Sequence, residues 1–141
     1  MAEGKNPRLL DVLNSIADEL VIELSADACS ISRVIGDVLI LVAERVHDGK
    51  TLQLTQGYLV PDYPQTAEVL ATRTPRALTL DDPDVDAAES ATLRDLGFGS
   101  LAMLPLEIDG EAWGLIEIYR RDTRPFTTDD VRRALELSRF A

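Results

Sequence analysis

The side chains in this 141-residue chain whose types could do chemistry are few: one cysteine, one histidine and a short run of alternating aspartates. Cys29 opens an apolar, β-branched run rather than standing beside a cation. A thiol is reactive only as its thiolate, so this setting reads as a small buried hydrophobe. His47 has no second imidazole or thiolate near it in sequence and is followed by Asp48-Gly49, which reads as a solvated turn rather than a haem or metal site. Asp82, Asp84 and Asp86 repeat the alternating carboxylates of a calcium loop. Position six of such a loop is Ala87 where glycine is needed, however, and position twelve is Leu93 where a glutamate is needed. That leaves at most a weak divalent-cation site; the better reading is a solvated loop whose charge favours the positive end of the helix after it. Ser32, Ser90, Ser100 and Ser138 lack the glycine-flanked elbow of a nucleophile, and His47 is the sole imidazole base. Gly97-Phe98-Gly99 lacks the third glycine and the lysine of a phosphate loop. No catalytic residue and no metal ligand are expected.

The charge balance narrows the partners. Fourteen basic against twenty-five acidic side chains give a net charge of -11, which repels phosphate backbones and offers no polybasic patch for anionic lipid. Nucleic acid and membrane are therefore not expected partners. The apolar runs, such as Val38 to Ala43 and Leu101 to Leu106, are strand-length, well short of the roughly 20 residues of a spanning helix. Met1 to Pro7 is polar, without the apolar region of a signal peptide. A cytoplasmic location is expected, and a lone cysteine fits a reducing compartment. The length suits one domain with one core.

These residues need elements to position them. Leu9, Leu13, Ile16, Leu20 and Leu24 recur at helical spacing, which predicts a first helix from Pro7 to Ser25. Leu10, Ala17 and Val21 widen its stripe, enough for a partner helix to pack there. Ala28 to Ile35 and Val38 to Val46 read as a hairpin turned at Gly36-Asp37. A second turn at 47–50 and a short strand from Thr51 to Leu54 follow. Gln65 to Thr72 reads as a short helix, and Arg76 to Leu80 as a brief strand. Ala87 to Leu96 reads as a helix with Asp86 and Glu89 in a capping box and Gly97 at its end. Ser100 to Ile108 and Ala112 to Arg120 are joined by Asp109-Gly110, suited to a type I′ turn. Thr127 or Thr128 caps a last helix, expected to run to the chain end and on into a further module.

Taken together, Tyr63-Pro-Gln-Thr-Ala-Glu-Val-Leu70, Thr74-Pro75, Leu96-Gly-Phe-Gly-Ser-Leu101, Leu104-Pro-Leu106, Asp109-Gly110, Gly114-Leu-Ile-Glu117 and Pro125-Phe-Thr-Thr-Asp-Asp130 resemble a GAF domain in order and spacing, over nearly the whole chain. The resemblance implies an α+β, PAS-related fold. It would have a six-stranded antiparallel sheet, the N- and C-terminal helices on one face, and short helices and loops over a small-molecule pocket on the other. It also implies a single domain, residues 1–141, cut from a longer signalling protein. Its output module would be a histidine kinase, diguanylate cyclase, phosphodiesterase or transcription factor.

The departures bear on the ligand. The spaced Asn-Lys, Phe and Asp-Glu signature of cyclic-nucleotide-binding members is missing. Bilin-binding members need a placed cysteine and a pocket histidine, while Cys29 starts the first strand and His47 sits at a turn. Free methionine sulfoxide reductases of this fold use several cysteines, and one cannot both attack and resolve. The family places its pocket wall around Tyr58 and Tyr63, with Phe98, Ser100 and Met103 beside the central strand. These five are the expected ligand contacts, and the ligand's identity stays open. The expected function is a non-catalytic sensor that signals through its terminal helices, as a homodimer packed through Leu10, Ala17 and Val21. The alternatives are a ligand-free dimerisation module and a redox enzyme on the same fold.

Overall fold

The computed structural model describes residues 2–47 and 57–139, with side chains from residue 8 in the first stretch and from residue 59 in the second. In chain order the elements are α1 (Ala2–Glu23), β1 (Ala28–Ile35), β2 (Val38–Val46), β3 (Gly57–Leu59), a 3-10 turn (Val60–Asp62), α2 (Pro64–Thr72), β4 (Arg76–Thr79), α3 (Ala87–Leu96), β5 (Ser100–Ile108), β6 (Glu111–Arg120) and α4 (Thr128–Leu137). The strands form one sheet in the order β3-β2-β1-β6-β5-β4, every neighbouring pair antiparallel.

Both faces of this sheet are covered, and strand alternation assigns each residue to one of them. Toward α1 and α4 point Cys29 and Ile31 of β1, Ala102, Leu104 and Leu106 of β5, and Ile116 and Ile118 of β6. They meet Leu13, Ile16, Ala17, Leu20, Val21 and Leu24 of the first helical segment and Ala134 of α4. Toward α2 and α3 point Ala28, Leu101, Met103, Leu115 and Tyr119, which meet Val69 and Leu93. A side chain such as Leu20, wholly buried, contributes about 1.5–3 kcal/mol in this way. The sheet is thus the middle layer of three.

Local chemistry accounts for the element ends. Asp109 and Gly110 both take positive φ, 54° and 80°, as a tight primed turn requires. Gly97 ends α3 in the left-handed conformation at φ 81°. Thr127 accepts the Asp130 N–H while the Asp130 carboxylate accepts the Thr127 N–H, a complete capping box at α4. Gly114 allows β6 to lie against β1, since a Cβ there would land on the Ser32 carbonyl oxygen.

Several expectations are corrected. Helix α1 starts at Ala2, ahead of Pro7, so Pro7 is not its first residue. Helix α4 ends at Leu137 with Ser138 as its cap, short of the expected run to the chain end. The three-residue β3 was not anticipated. The expected strand from Thr51 to Leu54 lies outside the described residues. Ala17 and Val21 are 0% and 3% exposed, enclosed by the domain's own core, and so do not face a partner helix; Leu10 remains 42% exposed. The stripe they widen is broad because α1 lies flat on the sheet and buries more than one row of side chains.

Candidate functional site

Helices α2 and α3 are fastened to each other at their N-termini. The Gln65 backbone N–H donates to Asp86 Oδ2 at 3.1 Å, the Asp86 N–H donates to Gln65 Oε1 at 2.8 Å, and Gln65 Nε2 donates to the Asp84 carbonyl at 2.9 Å. Asp86 Oδ1 meanwhile caps α3 through the Glu89 N–H at 2.7 Å. The acidic loop is thereby occupied in holding two helices. Asp82 accepts the Asp84 N–H at 2.9 Å, and among the described residues no cluster of three or more His, Cys, Asp or Glu is placed to hold a metal ion.

Between this helical lid and the sheet lies a narrow cleft lined by Leu39, Tyr63, Thr66, Glu89, Thr92, Glu117 and Tyr119, closed down to room for about one water molecule. Two carboxyl groups enter it from opposite sides. Glu89 hangs from α3 and is 3% exposed, and Glu117 stands on β6 and is 8% exposed. Thr66 Oγ1 donates to Glu89 Oε1 at 2.7 Å and also lies 3.4 Å from the Met103 sulfur. The Tyr63 and Thr92 hydroxyls are 3.3 Å apart at the rim.

Burial pushes the Glu117 carboxyl up to about 8, reinforced by the charge of Glu89 and opposed by a hydrogen bond from Tyr119. Burial also raises Glu89, with the Thr66 hydrogen bond pulling it down and Asp86 pushing it up. Two carboxylates close together in a low-dielectric space do not both ionise readily. Near neutral pH the Glu117 carboxyl is therefore held in its protonated form.

Of the expected contacts, the structure brings three to this region. Tyr63 lines the cleft. Met103 lies behind Thr66, its sulfur 3.4 Å from the Thr66 hydroxyl, and does not itself line the cleft. Phe98 stands one layer behind, stacked on Tyr119 with ring centroids 4.9 Å apart. The Tyr58 side chain lies outside the described residues; its backbone pairs with Leu39. Ser100 is corrected: it shares the opposite sheet face with Ala102 and Leu104. Its hydroxyl donates to the carbonyls of Asp122 and Arg124 at 2.9 and 2.8 Å, fixing the β6–α4 connection. A single step in strand register separates it from the cleft.

Glu89, Glu117, Thr66, Thr92 and Tyr119 were not anticipated. Glu89 read as half of a capping box; only the Asp86 half forms, and the Glu89 carboxyl turns inward to Thr66. Glu117 did leave a trace in the sequence. A lone acid between Ile116 and Ile118, in a strand covered on both faces, has to be buried.

Cys29 lies on the α1 face of the sheet, where burial pushes its thiol well above the ordinary range, followed by the charges of Glu117 and Asp18. It is not part of the cleft. His47 is exposed at the turn after β2.

On the far side of β6 from the cleft, Arg120 gathers the terminal helices. Its Nη2 donates to the Leu24 carbonyl at 2.6 Å and lies 3.5 Å from Asp130 Oδ2. Its Nη1 donates to the Pro125 carbonyl at 3.1 Å, and its guanidinium lies 4.0 Å from the centroid of the Phe126 ring. Arg133 of α4 also donates to Glu23 of α1 at 2.9 Å.

The structure is thus a three-layer α+β domain with a cleft on one face of its sheet and the terminal helices on the other. The family model of the GAF domain matches residues 8–141, and the chain belongs to that family. Among solved structures it is similar to the phycoerythrobilin-bound GAF domain of a cyanobacterial phytochrome, with a TM-score of 0.75 and 21% identity over 92% of this chain and 79% of that one. The blue-light-absorbing form of the Thermosynechococcus elongatus PixJ GAF domain gives 0.74 and 19% over 92% and 79%. The GAF domain of a two-component sensor histidine kinase from Bacillus halodurans gives 0.72 and 21% over 91% and 86%. None of the curated proteins searched matches the sequence.

Proposed function

We propose that this GAF domain is a non-catalytic sensor: a small molecule enters the cleft between the α2–α3 lid and the sheet, and the change passes through β6 to α1 and α4. One observation carries the reading. Four consecutive residues of β6 serve both sides, Glu117 and Tyr119 lining the cleft, and Ile118 and Arg120 packing against the terminal helices. A displacement of β6 by a ligand cannot leave Arg120 where it is. The ligand has to favour one arrangement of the helices over another, since equal affinity for both shifts nothing.

The similar phytochrome structures hold bilins. The residues here do not fit one held through Cys29. That thiol belongs to the opposite face of the sheet, His47 is exposed outside the cleft, and a cleft closed down to about one water is far from the size of a tetrapyrrole. The proposed ligand is smaller. The output is a covalently linked module such as a kinase or cyclic-di-nucleotide enzyme, supported by the likeness to the Bacillus halodurans kinase domain. Among the described residues no helix is long and apolar enough to cross a membrane, and we place the domain in the cytoplasm.

The test is a thermal-shift screen of small metabolites against the wild-type chain and Thr92→Trp, which fills the cleft from its partly exposed rim. Hydrogen exchange with the best compound then follows. The expected result is a compound that stabilises the wild type alone and slows exchange around residues 20–27 and 127–134. Binding that leaves both helix junctions unchanged overturns the sensory coupling.

The narrowness of the cleft supports a second reading, a ligand-free dimerisation module. Leu10 and Ile22 of α1 are exposed, 42% and 72%, and are the residues left to meet a second copy. Sedimentation showing a dimer that Leu10→Asp dissolves, with no compound found in the screen, would favour it.

A further inference from the structure

The cleft contains two buried acids and lacks a positive charge to answer them. Among the described residues its lining holds no lysine, arginine or histidine. On the sheet, Arg76 is in register with Met103, one strand beyond Glu117, and is itself paired with Glu68 at 2.8 Å. A second and independent feature points the same way. Ser30 of β1 lies in register with Glu117 of β6 on one side and with Glu44 of β2 on the other. Its hydroxyl is buried, the residue 1% exposed, and has no hydrogen-bond partner among the described residues. A buried hydroxyl left so is uncommon in folded proteins and marks a group that a ligand or water completes.

We propose that the cleft binds a small organic cation, an alkylammonium-type group, with Glu117 and Glu89 as its counter-charges and the rings of Tyr63 and Tyr119 around its apolar part. This deepens the sensory reading above and rests on it. Carboxylates supply charge-assisted acceptors for N–H donors, and tyrosine faces attract a cation that has shed its water. Leu39 adds an apolar wall that a strongly hydrated inorganic ion does not need. Two carboxyl groups are also too few for a calcium or magnesium cage without many waters, and the closed cleft has space for about one. The lid has to open to admit the cation, and the bonds joining Gln65 to Asp86 let α2 and α3 move as one piece.

Binding is linked to a proton. The groups facing Glu117 are Glu89 from α3, Tyr63 ahead of α2, Tyr119 on its own strand, and Glu44 across Ser30, with Cys29 next to Ser30 on β1 but on the other face. None of these is cationic. Burial and the charge of Glu89 keep Glu117 protonated up to about pH 8, so an ammonium that pairs with both carboxylates displaces that proton to solvent. Affinity accordingly rises with pH from 6 to 8 and then levels.

The test is isothermal titration calorimetry of the full 141-residue chain with butylammonium, in two buffers of different ionisation enthalpy, at pH 6 and pH 8.5. Butanol, butyrate, potassium chloride and magnesium chloride serve as controls. The expected result is butylammonium binding with proton release at pH 6, more than tenfold tighter at pH 8.5, and at least tenfold weaker in both Glu117→Gln and Glu89→Gln. Tighter binding of potassium or magnesium than of butylammonium overturns the inference, as does binding unchanged by both variants. So does the lack of any cation binding, which would leave Glu89 and Glu117 as two buried acids without a ligand. Retention of a neutral or anionic compound, read by native mass spectrometry, would overturn the cation while leaving the sensor standing. Butylammonium binding without a change in hydrogen exchange at α1 and α4 would do the reverse.

Discussion

The Nη2 atom of Arg120 lies 3.5 Å from Asp130 Oδ2, and the same carboxylate oxygen accepts the N–H of Thr127 at 2.9 Å. The last residue of β6 thus touches the group that closes the capping box of α4. It reaches the end of α1 as well, through the Leu24 carbonyl at 2.6 Å. Arg120→Ala removes all of these bonds and leaves buried carbonyls unanswered, with an expected loss of about 3 kcal/mol in urea unfolding. Hydrogen exchange should rise first at the N-terminal turn of α4. Arg120→Lys restores the charge but not the planar fork, and should recover only part of the loss.

Stability should depend on the Glu117 carboxyl. Its pKa in the folded chain, about 8, exceeds the ordinary value of 4.5 that it regains on unfolding. Between those values the folded state binds more protons than the unfolded one. The contribution is complete below pH 4.5, falls as pH rises toward 8 and is then flat. A melting series from pH 5 to pH 8.5 should show the wild type losing stability across that window. Glu117→Gln, which has no proton to lose there, should lose less; an equal slope in both proteins would contradict the assignment.

Thr66 holds the Glu89 carboxyl at 2.7 Å. Thr66→Val keeps the shape and deletes the donor, so it should cost about 1–3 kcal/mol. It should also move the Glu89 titration upward, since this hydrogen bond opposes the effect of burial. Carboxyl NMR chemical shifts against pH check both the residue and the sign.

Two glycines mark close backbone approaches, and a third marks only a turn. A Cβ at Gly114 lands on the Ser32 carbonyl, and one at Gly99 comes within 2.6 Å of the Asp122 carbonyl. Gly114→Ala should abolish folding or cost more than about 3 kcal/mol, because main chain has to move out of main chain. Gly36, with φ 59° and open space around it, should tolerate alanine at about 1 kcal/mol. Midpoints of urea unfolding for the two variants give the comparison.

Much of the framework was legible because it rests on local rules. The bounds of β1, β2, β5 and α3 follow from apolar β-branched runs, turn dipeptides and caps, each decided within a few residues. The candidate site was legible only in part. Tyr63, which lines the cleft, was named through the family resemblance, whereas Ser100 was assigned to the wrong face, since one residue of register decides between the cleft and the helical side. Glu89 was hidden because Asp86 and Glu89 satisfy the sequence pattern of a capping box whether or not the glutamate turns back toward the cap.

The sequence by itself determined most of the elements, their order and the family, because periodicity, turn chemistry and capping act over short stretches of chain. Its charge also argued against phosphate-bearing partners. Only the tertiary structure decided which acids are buried together and which faces of α1 remain free. Glu89 and Glu117 stand 28 positions apart on a helix and a strand, and no local rule brings them into one cleft. The reason is the three-layer packing: it places α3 over β6 on one side of the sheet and α1 with α4 on the other, and so gives a single strand a carboxylate facing one layer and a guanidinium facing the other.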